Sequence, residues 1–280
     1  MAIDTPPAGH LDEAAPPAPA AAPTPPAAAG PGPRTARSTD YAVLRVANWS
    51  VLAYCTLGLV GFAVFGGFWP PPAEHLTAPQ IADYFRDHQT DLRVGMVMMA
   101  AGAPFYMVWS AAVSAVIKRI EGPMGLLSRV QLLGGLLTAI VTLVPPTIWI
   151  TAAFRADARP DETIQMLYDF GWFFFDLTWV CSAIQSVALG TAILLDRREV
   201  PLYPRWVAWL SFFVAVEYVP LVLVPMFTDG PFAWHGLISF WGVFVMFFVL
   251  IVVVMPCTFR ALRRLEAEDE AADRLAGVHA

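Results

Sequence analysis

Residues 168–181 read YDFGWFFFDLTWVC, an aromatic run that carries two acidic side chains, Asp169 and Asp176. The run opens an apolar segment over 170–195 that contains no lysine or arginine. About 20 apolar residues of α-helix cross a hydrocarbon core about 30 Å thick, so this segment is long enough to span a bilayer. We therefore predict a transmembrane helix here, with the carboxyl group of Asp176 well inside it.

Five further apolar runs of similar length occupy 47–68, 93–117, 130–153, 206–227 and 235–257. The whole chain is 57% hydrophobic and 14% charged, whereas soluble domains are about 25% charged. Both observations indicate a membrane protein. The predicted fold class is all-α: a polytopic membrane helix bundle of six transmembrane helices.

The distribution of basic residues predicts the orientation of the chain, because cationic loops stay on the cytosolic side. With the amino terminus inside, only Arg86, Arg93, Arg155 and Arg159 of the 17 lysines and arginines lie outside. We predict a multi-pass protein of the cell (inner) membrane, N-in and C-in. The net charge of −6 leaves no basic face for nucleic acid, which is not a predicted partner.

Composition divides the chain into three parts. Residues 1–40 are rich in proline and alanine and are predicted to be a disordered cytosolic tail. The transmembrane domain follows over 41–259, and 260–280 form a charged cytosolic C-terminal helix or tail. In the first outer loop, Thr77 and Gln80 have the spacing of a capping box, which predicts a short amphipathic helix near 78–88 on the outer surface.

A second buried acid, Glu217, lies in the fifth run. At 1.5 Å per residue, Asp176 and Glu217 reach similar depths from opposite sides, with Asp169 nearer the outer headgroups. Ionised acids are costly at the bilayer centre and are paired, neutralised or placed in polar cavities. We predict one polar pocket in the outer half of the bundle, lined by Tyr106, Trp109, Asp176, Glu217 and His235, with Asp169 close by. Alternatively, the two acids are protonated and hydrogen-bonded to neighbouring helices.

Catalytic and cofactor motifs do not occur in the sequence: there is no HExxH, no GxSxG and no glycine-rich phosphate loop. His75 and His88 lie in the first outer loop, from which they could approach His235 or Asp169, but their spacing is not typical of a metal site. We predict no cofactor and no metal.

Three functional interpretations remain open. The favoured one is an accessory or structural subunit of a membrane system, whose partners are the lipid bilayer and another membrane subunit. The second is a proton-coupled carrier or binder of a lipophilic small molecule, because two membrane acids without basic partners suit proton coupling. The third is a membrane-embedded enzyme.

Four stretches carry a family resemblance: FWPPPAEHLTAPQIADYFRDH, LRVGMVMMAAGAPFY, YPRWVAWLSFFVAVEYVPLVLV and TDGPFAWHGLISFWGVFV. Together they resemble a group of uncharacterised bacterial integral membrane proteins, common in actinobacteria, over residues 43–258. That group has six predicted spans, a proline-rich outer turn, a surface helix and a GPFAW start of the last helix. The resemblance implies the same topology and a bacterial inner membrane, but no reaction and no functional residue.

Overall fold

The computed structural model describes the backbone of residues 33–278 and the side chains of residues 40–276. All regular structure in this range is helical, and no β-strand occurs in it. The α-helices are α1 (Pro33–Leu59), α2 (Ala78–Asp87), α3 (Gln89–Glu121), α4 (Leu126–Ala153), α5 (Asp161–Leu177), α6 (Trp179–Leu195), α7 (Arg205–Glu217) and α8 (Val243–Val278). Segments Val60–Phe65 and Leu237–Gly242 are π-helical, and Ala156–Ala158 and Val219–Met226 are 3-10 helices. The predicted all-α fold is confirmed.

Six helical stretches within the described residues are long and apolar enough to cross a membrane. They are Asp40–Phe65, Gln89–Glu121, Leu126–Ala153, Asp161–Leu195, Arg205–Met226 and Leu237–Ala276. Large apolar side chains such as Leu133 and Phe213 are exposed on them, as expected where helices face lipid chains rather than water. The predicted number of spans is confirmed, and the architecture is that of a multi-pass membrane protein.

The predicted amino-terminal tail overlaps the first helix, because α1 begins at Pro33. The remainder of the tail prediction falls on residues 1–32, which lie outside the described residues. At the other terminus, α8 continues without a break to Val278, so the charged segment after residue 260 extends the last spanning helix.

The two ends of the bundle carry different elements. The α2 end is formed by α2 with loops 66–77 and 227–236, and the tail end by loops 122–125 and 196–204 with the α8 extension. At the tail end, Arg119 pairs with Asp269 and Arg45 pairs with Glu266, each at 2.6 Å. Partly exposed ion pairs contribute at most about 1 kcal/mol each, but these two fix the α8 extension against α3 and α1.

Helix α2 has the predicted start. Thr77 and Gln80 form a capping box, with the Thr77 backbone N–H donating to Gln80 Oε1 at 2.9 Å. The buried face of the helix carries Ile81 and Phe85, and Arg86 pairs with Asp161 at 2.6 Å. Since this ion pair reaches the first turn of α5, α2 is attached to the bundle at both its apolar face and its polar edge.

An aromatic core lies at the α2 end. Trp149 Nε1 donates to the carbonyl of Tyr168 at 3.2 Å, and the Tyr168 hydroxyl donates to the carbonyl of Pro72 at 2.7 Å. The indole of Trp234 donates to the same carbonyl at 3.1 Å and stacks on Trp172 at 5.9 Å between ring centroids. These contacts tie both loops of the α2 end to α4 and α5.

Candidate functional site

A cavity of about 80 Å³ lies inside the bundle next to the aromatic core. A cavity needs about 10–15 Å³ to hold one water molecule, so this cavity has room for a small molecule. Its wall is mostly aromatic and includes Phe62, Phe175, Trp179, Phe244 and Phe247. Concave, largely apolar sites with a few polar groups are the usual form of small-molecule binding sites.

Asp176 is the only carboxyl side chain among the described residues that line this cavity. The residue is 5% exposed, and its Oδ2 has no hydrogen-bond partner within the described part of the chain. Leaving a buried polar atom unpaired costs about 1–3 kcal/mol, and more for an acid inside a membrane. Asp176 is therefore a cavity-lining acid that has one carboxyl oxygen without a hydrogen-bond partner in the described part of the chain.

The helix that carries Asp176 is interrupted immediately after it. A single residue, Thr178, separates α5 from α6, and its hydroxyl donates to the carbonyl of Phe174 at 2.7 Å. The hydroxyl thus competes for a carbonyl of the α5 ladder, a way in which threonine bends helices. Asp176 and Trp179, one on each side of the interruption, both line the cavity.

Three other spanning stretches also depart from regular α-helix beside the cavity. After α7 the chain continues as a 3-10 helix in which Pro220 has no N–H to donate, and Tyr218 at this junction lines the cavity. The two π-helical segments adjoin lining residues Leu59 and Val243. Discontinuous helices and π-helical turns occur frequently at binding sites within membrane proteins and enzymes. All four interruptions border one cavity.

A hydroxyl-bearing strip forms another part of the wall. Thr138 on α4 lies 2.9 Å from the hydroxyl of Ser182 on α6, and both line the cavity. Behind them, Gln185 accepts from Thr138 at 3.3 Å and from the Tyr106 hydroxyl at 3.0 Å, and donates to Ser110 at 3.0 Å. Tyr106 therefore lies one layer behind the cavity and reaches its wall through Gln185.

Two other residues predicted for the pocket point elsewhere. The Trp109 indole donates to Asn48 Oδ1 at 3.1 Å and does not line the cavity. Glu217 Oε1 lies 2.5 Å from where a methyl group on Gly242 would stand, and its Oε2 is buried without a hydrogen-bond partner among the described residues. Glu217 thus flanks the cavity beside Tyr218, facing the π-helical segment instead of Asp176.

His235 and Asp169 lie toward the α2 end. His235 Nδ1 is 2.6 Å from Glu74 Oε2, and the backbone N–H of Trp234 donates to Glu74 Oε1. Burial raises the pKa of the Glu74 carboxyl above its usual range, and the hydrogen bonds from Trp234 and His235 oppose that shift. Asp169 is half-buried on α5, two turns before Asp176, outside the cavity wall. The five residues predicted to line one pocket, and Asp169 predicted beside it, are therefore distributed over separate places.

Family models, curated proteins and solved structures give no match to this chain. The resemblance to a bacterial membrane-protein group stays a prediction, as does the bacterial inner membrane that it implies.

Sequence reasoning identified Asp176 but missed its neighbours. Thr138 and Ser182 are ordinary small polar residues of apolar helices, and nothing in their spacing indicates that they meet. The sequence around Glu74 could have marked this residue as a candidate, since Glu74 is an acid beside a histidine in a proline-rich turn. Its partner His235 is 161 positions away, so the pairing depends on the fold.

Proposed function

We propose that this integral membrane protein binds a small lipophilic amine in the cavity at Asp176. The observation that carries the proposal is Asp176 itself: it is the only carboxyl side chain among the described lining residues, and its Oδ2 has no hydrogen-bond partner in the described part of the chain. An ammonium group in the cavity would give this carboxyl group, after a rotation of its side chain, a charge-assisted hydrogen bond, which is about twice as strong as a neutral one.

The aromatic wall supports a cationic occupant. Trp179, Phe244 and Phe247 line the cavity with Tyr54 and Tyr218, and aromatic faces attract ammonium groups by about 0.5–2 kcal/mol each. No lysine or arginine is among the described lining residues, so an ammonium ion would be the only cation beside Asp176. The apolar body of such a ligand would contact the rings, and its charged end the carboxyl group.

A matched set of probes tests the proposal: benzylamine, benzyl alcohol and toluene, which share one ring and differ in the polar end. Binding to the full-length protein in lipid nanodiscs is measured by isothermal titration calorimetry. We expect benzylamine to bind most tightly. Asp176→Asn should weaken it roughly 10- to 100-fold, since a hydrogen bond to a charged group contributes about 1.5–3 kcal/mol.

Asp169→Asn is the control variant, because Asp169 is an acid on the same helix that does not line the cavity. It should bind benzylamine like the wild-type protein. Equal binding of toluene and benzylamine, or equal losses in the two variants, would contradict the proposal.

The orientation is a second part of the proposal: both termini face the cytosol. The tail end carries more basic side chains than the α2 end, among them Lys118, Arg119, Arg129, Arg197, Arg198 and Arg264, and basic residues are retained inside. Green fluorescent protein fused after Ala280 should fluoresce, and alkaline phosphatase fused there should be inactive. The reverse pair of results would show that the carboxyl terminus lies on the opposite side.

The accessory-subunit, carrier and enzyme interpretations stay predictions.

A further inference from the structure

Loops 66–77 and 227–236 bring together three side chains able to bind a metal. His75, Asp229 and His235 each place one ligating atom within 4.8 Å of the other two. His235 Nε2 is 3.6 Å from Asp229 Oδ1, and the two imidazole centroids are 5.8 Å apart. Two neutral imidazoles and a carboxylate are a ligand set that divalent transition metals prefer.

The orientation of the His235 ring is fixed by Glu74, on the side of the ring opposite the cluster. Its Nδ1 lies 2.6 Å from Glu74 Oε2, and the Glu74 side chain is only 5% exposed. The second oxygen of Glu74 accepts from the backbone N–H of Trp234, so the carboxylate is held at both ends. A histidine whose Nδ1–H donates to Glu74 presents the free lone pair of Nε2 to Asp229 and His75. Carboxylates in this position behind metal-binding histidines are a regular feature of metal sites.

Asp229 is also positioned locally. Its Oδ1 accepts the backbone N–H of Gly230 at 2.7 Å, which turns the carboxylate toward His235. Around a tetrahedral ion with bonds of about 2.0–2.1 Å, ligand atoms lie about 3.3 Å apart. The His235 to Asp229 distance of 3.6 Å is already close to that value. The exposed side chain of His75 can close the remaining gap by rotating.

We propose that His75, Asp229 and His235 bind one divalent transition-metal ion, Zn²⁺ in the first instance, and that Glu74 orients His235. Three protein ligands leave a fourth position for water or another small ligand. The metal would join the loop after the first span to the loop before the last span. This site is separate from the cavity, and its test does not depend on the amine proposal.

The test uses the full-length protein, produced without a histidine tag and treated with a chelator. Zinc content after dialysis against Zn²⁺ is measured by mass spectrometry, and Co²⁺ binding by its visible absorption. We expect one ion per wild-type chain and a tetrahedral Co²⁺ spectrum. His75→Ala and Asp229→Asn should lose both signals, and because these side chains are exposed, the variants should fold. Glu74→Gln should weaken Zn²⁺ binding about 10- to 100-fold.

His88→Ala is the control. His88 is an exposed histidine of the same end, and its Nδ1 lies 2.9 Å from the carbonyl of Tyr84, outside the cluster. It should bind Zn²⁺ like the wild-type protein. Unchanged binding in His75→Ala and Asp229→Asn, equal loss in His88→Ala, or no bound ion in the wild-type protein would overturn the proposal. These results would leave His235 as an ion-pair partner of Glu74 and Asp229 only.

Discussion

Gly171→Ala should destabilise the aromatic core of the α2 end. Gly171 lies on α5 directly against the indole of Trp149, and an added methyl group would stand 2.7 Å from its Cε2 and 2.8 Å from its Cδ1. Trp149 is fully buried, and its Nε1 donates to the carbonyl of Tyr168 at 3.2 Å. Because the ring is fully buried, either the indole or the whole of α5 must shift.

The expected cost follows from three contributions. Overpacking a core costs about 1–3 kcal/mol, and a weakened indole hydrogen bond adds about 0.5–1.5 kcal/mol. Alanine regains about 0.5–1 kcal/mol, because glycine is unfavourable within a helix. The net loss is about 0.5–4 kcal/mol. At about 2–4 °C per kcal/mol, the midpoint of thermal unfolding should fall by roughly 1–16 °C.

Gly58→Ala is the matched control, since a methyl group added at Gly58 of α1 meets nothing within 4 Å. The same substitution should there raise the midpoint slightly, by the helical preference alone. Both variants are compared with the wild-type protein by circular dichroism in one detergent at one scan rate. If the two midpoints moved in the same direction by similar amounts, the packing of Trp149 against Gly171 would not be as described.

Three further predictions concern the surroundings of the cavity and of α2. Gly242→Ala should lower the free energy of unfolding by less than about 1 kcal/mol. The added methyl group meets Glu217 Oε1, which is the end of a flexible side chain and can move away. A loss as large as that of Gly171→Ala would contradict this prediction. Gln185→Leu removes the acceptor of the Tyr106 hydroxyl and should cost about 2–4 kcal/mol, because it leaves buried hydroxyls unpaired; Gln185→Glu, which keeps the acceptor, should cost less. Burial raises the pKa of Tyr84 to about 12 from 10.0. The contribution of Tyr84 to the free energy of unfolding is therefore complete below pH 10 and is lost as the pH rises through 12. Tyr84→Phe should reduce the loss of stability between pH 10 and pH 12, and an unchanged pH dependence would contradict this prediction.

The spanning helices could be predicted because a bilayer imposes a length on every apolar run. Likewise, α2 could be predicted from Thr77 and Gln80, whose capping interaction is local in sequence. The interruption of the fourth span at Thr178 could not, because threonine occurs in many straight helices and no proline or glycine marks the break. At the break, the hydroxyl of Thr178 donates to the backbone carbonyl of Phe174. Only the folded structure reveals this hydrogen bond.

For the candidate site, the depth of the acidic residues along their helices could be predicted, but the direction in which their side chains point could not. Counting residues places Asp176 and Glu217 at similar heights, yet the rotation of each helix about its axis decides where a side chain points. Glu217 faces Gly242, and Tyr106 faces Gln185. Both contacts join parts of the chain that are far apart in sequence, so the sequence alone does not reveal them.

The most direct test of the central claim is native mass spectrometry of the protein after gentle extraction from its own membrane. We expect the wild-type protein and Asp169→Asn to carry a bound small molecule containing an amine, and Asp176→Asn to have lost it. An unliganded wild-type protein, or the same bound mass in Asp176→Asn, would contradict the claim that Asp176 holds a ligand in the cavity.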